Sequence, residues 1–245
     1  MPFIRTIISL IYVGLFMLAS LVLLPVEFFI RKKNPGKAVE FSYKVITIGF
    51  RALIFLSGSA PKVYGLENIP KDRPVVFMGN HRSYYDLIIS YTYMPCPTAI
   101  YSKIGLKKAP AISSWMKRIN CIFLEPANMR QNMQAILDGI ELIKNGTSML
   151  IFPEGKRNKG EGVLDFHAGS FKLATKTGAA IVPVVQTRTR EIFEKHFPWL
   201  HAQKTTLEFL PPIETSGLSK DEQKMLPAYT RELILKAYLE PGKGR

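Results

Sequence analysis

The chain is poor in cysteine and in acid, and both shortages narrow its function. Two cysteines, Cys96 and Cys121, in 245 residues supply neither a disulfide framework nor a metal-type spacing. Against 33 Lys and Arg stand only 19 Asp and Glu, a net charge of +14. That balance suits an anionic membrane surface, anionic substrates or nucleic acid, and cannot by itself choose among them. No aromatic-interleaved basic stretch or recognised module supports nucleic acid. A Gly-x-Ser-x-Gly elbow is missing, which argues against a covalent acyl-enzyme on serine. A Walker loop is missing too, which argues against ATP-driven phosphoryl transfer. Neither internal repeats nor low-complexity tracts are present, so one catalytic domain with an appendage is the expectation at this length.

Long apolar runs are present, and the first is the longest. Thr6 to Ile30 carries Glu27 as its only charge and exceeds the about 20 apolar residues needed to cross a bilayer. Arg31, Lys32, Lys33 and Lys37 follow, against Arg5 alone before it. The positive-inside rule then puts the downstream domain on the cytoplasmic face of a membrane. A cleaved leader fits poorly, because the run is too long and no small-residue cleavage site precedes the cations. The length fits a transmembrane helix, and Pro25 and Glu27 near its end leave a shallow or re-entrant course open as the alternative.

Asn34-Pro35-Gly36 breaks the chain, and a helix is expected from about Lys37 to Leu56. Lys37, Glu40, Lys44 and Arg51 fall within roughly 60° of one another at about 100° per residue. So narrow a polar stripe fits a helix lying in a membrane interface or a core helix packed on the domain. Residues 1–60 are therefore read as a membrane-anchoring helical hairpin, and 61–245 as the catalytic domain.

Beyond residue 61 short apolar runs alternate with helical ones, which predicts an α/β fold with a mixed, largely parallel central sheet flanked by helices. Strands are expected at Lys62–Tyr64, Val75–Met78, Thr98–Tyr101, Cys121–Leu124, Ser148–Phe152, Ile181–Val185 and Thr206–Leu210. Helices are expected at Asp86–Tyr93, Ala111–Arg118, Met129–Lys144, Phe171–Thr177 and Glu222–Leu239. Thr187–Gln203 shows no period and reads as a loop over the sheet.

Two of the turns carry chemistry. After Val75–Met78 come His81 and Asp86, five residues apart. A carboxylate beside an imidazole fixes its tautomer and stabilises the imidazolium, which makes a general base. A solvated histidine beside a helix-capping aspartate has the same spacing, so the pair needs support from elsewhere. After Ser148–Phe152 come Pro153-Glu154-Gly155-Lys156-Arg157. Glycine lets backbone N–H groups approach an anion, and Arg157 can grip a phosphate with two bonds. Glu154 is out of place in a bare phosphate site and fits a ligand that also carries hydroxyl groups. In an open α/β sheet both turns belong at the carboxyl ends of the strands, where ligands bind. The implied chemistry is attack by a deprotonated hydroxyl of a phosphate-bearing substrate.

At these residues the chain resembles the glycerolipid acyltransferase family, whose members include lysophosphatidic acid acyltransferases. Asn80-His81, four residues and Asp86 match one family block, with Ser83 where Ser is common. Phe152-Pro153-Glu154-Gly155-Lys156-Arg157 matches a second, with Lys156 where Thr or Ser is commoner, and Val182-Pro183-Val184 a later one. The resemblance covers roughly residues 60–215. It implies acyl transfer from acyl-coenzyme A or acyl carrier protein as co-substrate to a lysophospholipid, with no further cofactor and no metal. His81 and Asp86 would be catalytic; Asn80, Ser83, Glu154, Gly155, Lys156 and Arg157 would bind substrate. One block departs. Pro126 stands where an arginine associated with the substrate phosphate is expected, with Arg130 and Lys103 as candidate substitutes. That leaves open another lysophospholipid, glycerol 3-phosphate or an amino-acid lipid as acceptor. A non-catalytic binder of anionic lipids is the rival from another class.

Overall fold

The computed structural model describes residues 1–125 and 128–242. Seven strands form one sheet: β1 (Ala60–Tyr64), β2 (Val76–Gly79), β3 (Thr98–Lys103), β4 (Ile122–Leu124), β5 (Ser148–Ile151), β6 (Ile181–Thr187) and β7 (Lys204–Phe209). Their order is β1-β7-β6-β2-β5-β3-β4. Among these seven strands only β6 and β7 pair antiparallel, while β2 pairs parallel with both β5 and β6. The sheet is mixed and largely parallel, as expected.

The central position of β2 follows from its sequence. Val76, Phe77 and Met78 are all fully buried, which needs cover on both faces and reads as a continuous apolar run. Alternation then divides the core. Phe77 joins Leu150, Val182, Ile89 and Tyr91 on one face. Val76 and Met78 join Met149, Ile181, Leu173 and Ile234 on the other. The covering helices of the sheet domain are α4 (Tyr84–Tyr93), α5 (Pro110–Arg118), α6 (Met129–Lys144), α7 (Lys172–Thr177) and α8 (Lys220–Leu239).

Before the sheet come three helices: α1 (Pro2–Leu21), α2 (Leu23–Lys33) and α3 (Pro35–Leu56). The long apolar run is thus divided near Val22. Pro25 lies in the first turn of α2 and has no N–H for the carbonyl four residues back, so a single straight helix is disfavoured there. Asn34 starts α3 by accepting a hydrogen bond from the Lys37 N–H at 3.0 Å, with Pro35 in the first helical position.

Helix α3 packs against α1 and α2 on one side and α4 and α5 on the other, which accounts for its wide apolar surface. Ile48 and Phe55 of the same helix nevertheless stay exposed, at 63% and 80%. Gly49 lets α1 come close: a Cβ would stand 2.5 Å from the Phe16 ring, which would have to shift. Glu27 is only 1% exposed and binds Arg31 at 2.6 Å and Arg118 of α5 at 2.7 Å. The one charge in the apolar run is a buried tie between α2 and the sheet domain.

Candidate active site

The turn between β2 and α4 is built around the Asp86 side chain. Ser83 caps α4, and Asp86 sits at the third helical position, where it reaches back to the Ser83 N–H at 2.7 Å. This is a capping box closed by aspartate. The same carboxylate oxygen accepts from the Arg82 N–H at 2.5 Å and lies 3.0 Å from His81 Nδ1. Its other oxygen accepts the Thr189 hydroxyl at 2.5 Å. Asp86 is fully buried, so these donors fix it completely. An ionised carboxylate only accepts hydrogen bonds, which puts the hydrogen on Nδ1 and leaves the Nε2 lone pair of His81 to take a proton. Capping the helix and facing the imidazole are not alternatives here: the one carboxylate does both.

The second turn supports the first from below. The Phe152 ring stacks on the His81 imidazole at 4.2 Å and 14°. Glu154 accepts the His81 backbone N–H at 2.7 Å and the Leu164 N–H at 3.0 Å. The His81 carbonyl in turn accepts the Asn158 N–H at 2.7 Å. Burial pushes the Glu154 carboxyl above its ordinary value, against the pull of these two N–H donors and the His81 side chain. Glu154, expected at a ligand hydroxyl, is 2% exposed and occupied by backbone. It positions His81.

Asn80 and Ser83 are likewise turned inward. Asn80 exchanges two hydrogen bonds with the Gln186 backbone, at 2.9 and 2.8 Å, and ties β2 to β6. The Ser83 hydroxyl donates to Glu194 at 2.7 Å. Both side chains are fully buried, and the contacts they make shape the turn. Gly155 has φ +68°, and a Cβ there would come within 2.9 Å of the His167 ring. Gly155 and Lys156 are exposed.

Arg157 faces outward but is held on two sides. Its guanidinium lies 3.8 Å from the centroid of the Tyr84 ring and donates to the Tyr84 hydroxyl at 3.1 Å. It also pairs with Glu194 at 3.1 Å. Glu194 further accepts the Tyr84 N–H at 2.7 Å, so one carboxylate locks α4's first turn to the arginine. Stacking on Tyr84 and the Glu194 pair together hold the planar guanidinium in one orientation. Lys103 ends β3 and Arg130 lies in the first turn of α6; both are exposed. Pro126 lies outside the described residues.

Thr189 and Glu194 were missed from sequence. Both come from the aperiodic Thr187–Gln203 stretch, 103 and 111 residues beyond the groups they bind. The sequence offers only a weak hint: two carboxylates, Glu191 and Glu194, in a stretch otherwise rich in cations and aromatics.

Between the N-terminal helices and the sheet domain lies an apolar cavity of about 160 Å³, lined by Phe16 and Met17 of α1, Val45 and Phe50 of α3, Leu87 and Tyr91 of α4, and Trp115 of α5. Leu87, which follows Asp86 in the sequence, is the lining residue of α4 nearest along the chain to the His81–Asp86 turn.

The family model that describes an acyltransferase matches residues 60–187, which is the sheet from β1 through β6 with both turns. The chain belongs to the acyltransferase family. It is an O-acyltransferase. A 1-acyl-sn-glycerol-3-phosphate acyltransferase of Borreliella burgdorferi is 32% identical over 198 residues, covering 80% of this chain and 79% of that one. The corresponding Haemophilus influenzae protein is 30% identical, covering 86% of each chain. Among solved structures, the acyltransferase resembles the 1-acyl-sn-glycerophosphate acyltransferase of Thermotoga maritima with a TM-score of 0.79, at 26% identity over the whole of both chains.

Proposed function

We propose that this acyltransferase moves a fatty acyl group from an acyl thioester to the free hydroxyl of lysophosphatidic acid, giving phosphatidic acid, while bound to a membrane. The single observation that carries the chemistry is His81 Nδ1 held 3.0 Å from buried Asp86, which frees Nε2 as base. His81 removes the acceptor's hydroxyl proton as that oxygen attacks the thioester carbonyl. The tetrahedral adduct then collapses, the C–S bond breaks, and the departing thiolate takes the proton from the imidazolium. This is triad logic with the substrate's own hydroxyl in place of serine. Asp86 orients the ring and stabilises its positive form. Arg157, with exposed Lys156 and Gly155 beside it, holds the acceptor phosphate.

The acceptor is read from the names of the relatives together with the Arg157 clamp. The donor is inferred to be acyl-coenzyme A or acyl carrier protein, both anionic and both suited to a chain of net charge +14. The scheme asks for no further cofactor. The apolar cavity against α4 suits the acyl chain.

Membrane binding is supported by an inverted helix. In α1 the buried residues are Thr6, Ser9 and Ser20, while Phe3, Ile4, Ile8, Ile11, Leu15 and Leu18 are exposed. A helix with its polar side inward and its apolar side outward is matched to lipid. The basic run Arg31-Lys32-Lys33 favours the cytoplasmic face for the sheet domain.

The deciding experiment gives purified protein a labelled acyl thioester and a panel of acceptors: lysophosphatidic acid, other lysophospholipids and glycerol 3-phosphate. Preferred transfer to lysophosphatidic acid is expected. Preference for another acceptor would overturn the substrate and would point to Pro126, which stands where the family resemblance predicts an arginine.

A further inference from the structure

The loop that lends Thr189 and Glu194 to the site also has an outer end. Between Ile192 and His201 it closes on itself, with the His201 N–H donating to the Ile192 carbonyl at 2.8 Å. Ile192 and Leu200 anchor it in the core at 0% and 7% exposure. At its tip, Phe197 is 73% exposed and Trp199 39%. These aromatics are not isolated. Trp199 meets Phe3 of α1 edge-to-face at 5.1 Å, and the Leu200 N–H donates to the buried Thr6 hydroxyl at 2.7 Å. The tip therefore continues the apolar face that α1 presents through Phe3, Ile4, Ile7 and Ile8.

We propose that the Ile192–His201 loop is a second membrane contact, which places Phe197 and Trp199 among the lipids beside the first turns of α1. This rests on the reading of α1 as membrane-bound and extends it to a part of the sheet domain. The occupant is a bilayer rather than a protein partner for three reasons. The patch is continuous with a helix face long enough for lipid, and its tip carries a tryptophan, a residue enriched at the headgroup level. Its flanks carry Arg5, Lys195 and Lys204, with Lys195 and Lys204 exposed, which suits anionic lipid. The loop's acid, Glu194, is turned inward onto Arg157 and Ser83, so it does not oppose that charge. Because one short loop holds both Glu194 and Trp199, the depth of its tip sets the height of the Arg157 clamp above the lipid surface. A lysophospholipid whose tail stays in the bilayer then meets the clamp at headgroup level.

The chain has two tryptophans, and Trp115 is buried, so fluorescence can test the loop directly. Full-length Trp115→Phe protein is reconstituted into vesicles of phosphatidylcholine and phosphatidylglycerol, with and without brominated acyl chains. The expected result is a blue-shifted Trp199 emission that the bromines quench. If Trp115→Phe does not fold, the wild-type spectrum minus that of Trp199→Phe reports the same signal. Protein that floats with the vesicles while Trp199 stays unquenched overturns this proposal and leaves membrane binding by α1 standing. Protein that does not float overturns both. In parallel, Phe197→Ser with Trp199→Ser should raise KM about tenfold or more for acceptor in vesicles. Turnover of detergent-dispersed acceptor should be unchanged. Equal loss in both formats would make the aromatics structural and would overturn the proposal.

Discussion

Thr189 donates its hydroxyl to the Asp86 oxygen that His81 does not use, at 2.5 Å. The bond joins the loop after β6 to the turn after β2, and both partners are buried. It closes the set of donors around Asp86, so the orientation of His81 depends on a segment with no recognisable pattern. Its partner in the same loop, Glu194, does the equivalent for Arg157.

Loss of the base should nearly abolish turnover. General-base catalysis contributes about 10²–10⁴-fold, so His81→Ala should lower kcat by that factor. The ring is part-exposed, at 20%, and the circular dichroism spectrum should be unchanged. Near-wild-type kcat would remove His81 from the mechanism.

Thr189→Val keeps the shape and removes the hydroxyl. A charge-assisted hydrogen bond is worth about 1.5–3 kcal/mol, so a fall in kcat of about tenfold or more is expected from a less constrained Asp86. Acceptor KM should stay put, because Thr189 lies behind the base. A change confined to KM would contradict the arrangement described.

Arg157→Ala should raise acceptor KM with little effect on the donor. Arg157→Lys should not restore it, because an ammonium neither stacks on Tyr84 nor presents a fork. Glu194→Gln tests the clamp from the other side. The amide oxygen still accepts from one donor, but the charge facing Arg157 is gone, and acceptor KM should rise by less than in Arg157→Ala. Steady-state kinetics with varied acceptor separates the three variants.

Glu27→Gln should destabilise the protein as a whole. Breaking an ion pair from one side costs about 3–5 kcal/mol where the charge left behind is buried. Arg31 and Arg118 are 35% and 24% exposed and the amide still accepts one bond, so the cost here falls below that range. Here Arg118 keeps its place in α5 with one fewer partner. A clear fall in Tm in detergent is expected, and an unchanged Tm would show that the tie is dispensable.

Glu154 gives a pH signature. Burial raises its carboxyl in the folded protein, so the folded state holds a proton there more tightly than the unfolded chain. The associated stabilisation is fully present below the unfolded value of about 4.3 and is lost as pH rises through the higher folded value. Glu154→Gln lacks this titration. The Tm difference, variant minus wild type, should therefore grow as pH rises from about 4 through the folded value. A difference that is flat across that range would contradict the burial argument. The variant's amide also sets N–H against N–H at His81 or Leu164, so kcat should fall at every pH.

The sheet was legible in the sequence because its strands are continuous apolar runs punctuated by glycine, proline and helical periods. All seven strands and the five helices of the sheet domain lie within a few residues of where the pattern puts them. His81, Asp86 and Arg157 were legible for a different reason: each follows a buried strand in a local motif whose spacing is set by one turn. Those facts the sequence determined alone, along with the long apolar run and its basic flank.

Only the tertiary structure decided what the motifs' neighbours do. Asn80, Ser83 and Glu154 carry the polarity of ligand-binding residues, yet backbone from β6, Glu194 and the His81 N–H claim them first. Glu27 looked like a flaw in a membrane segment until α2 and α5 were brought together around it. Thr189 and Glu194 had no periodicity to reveal them. Periodicity records which side of an element is buried, whereas a hydrogen bond across more than a hundred residues depends on where two loops meet. That meeting is fixed by the packing of the whole sheet.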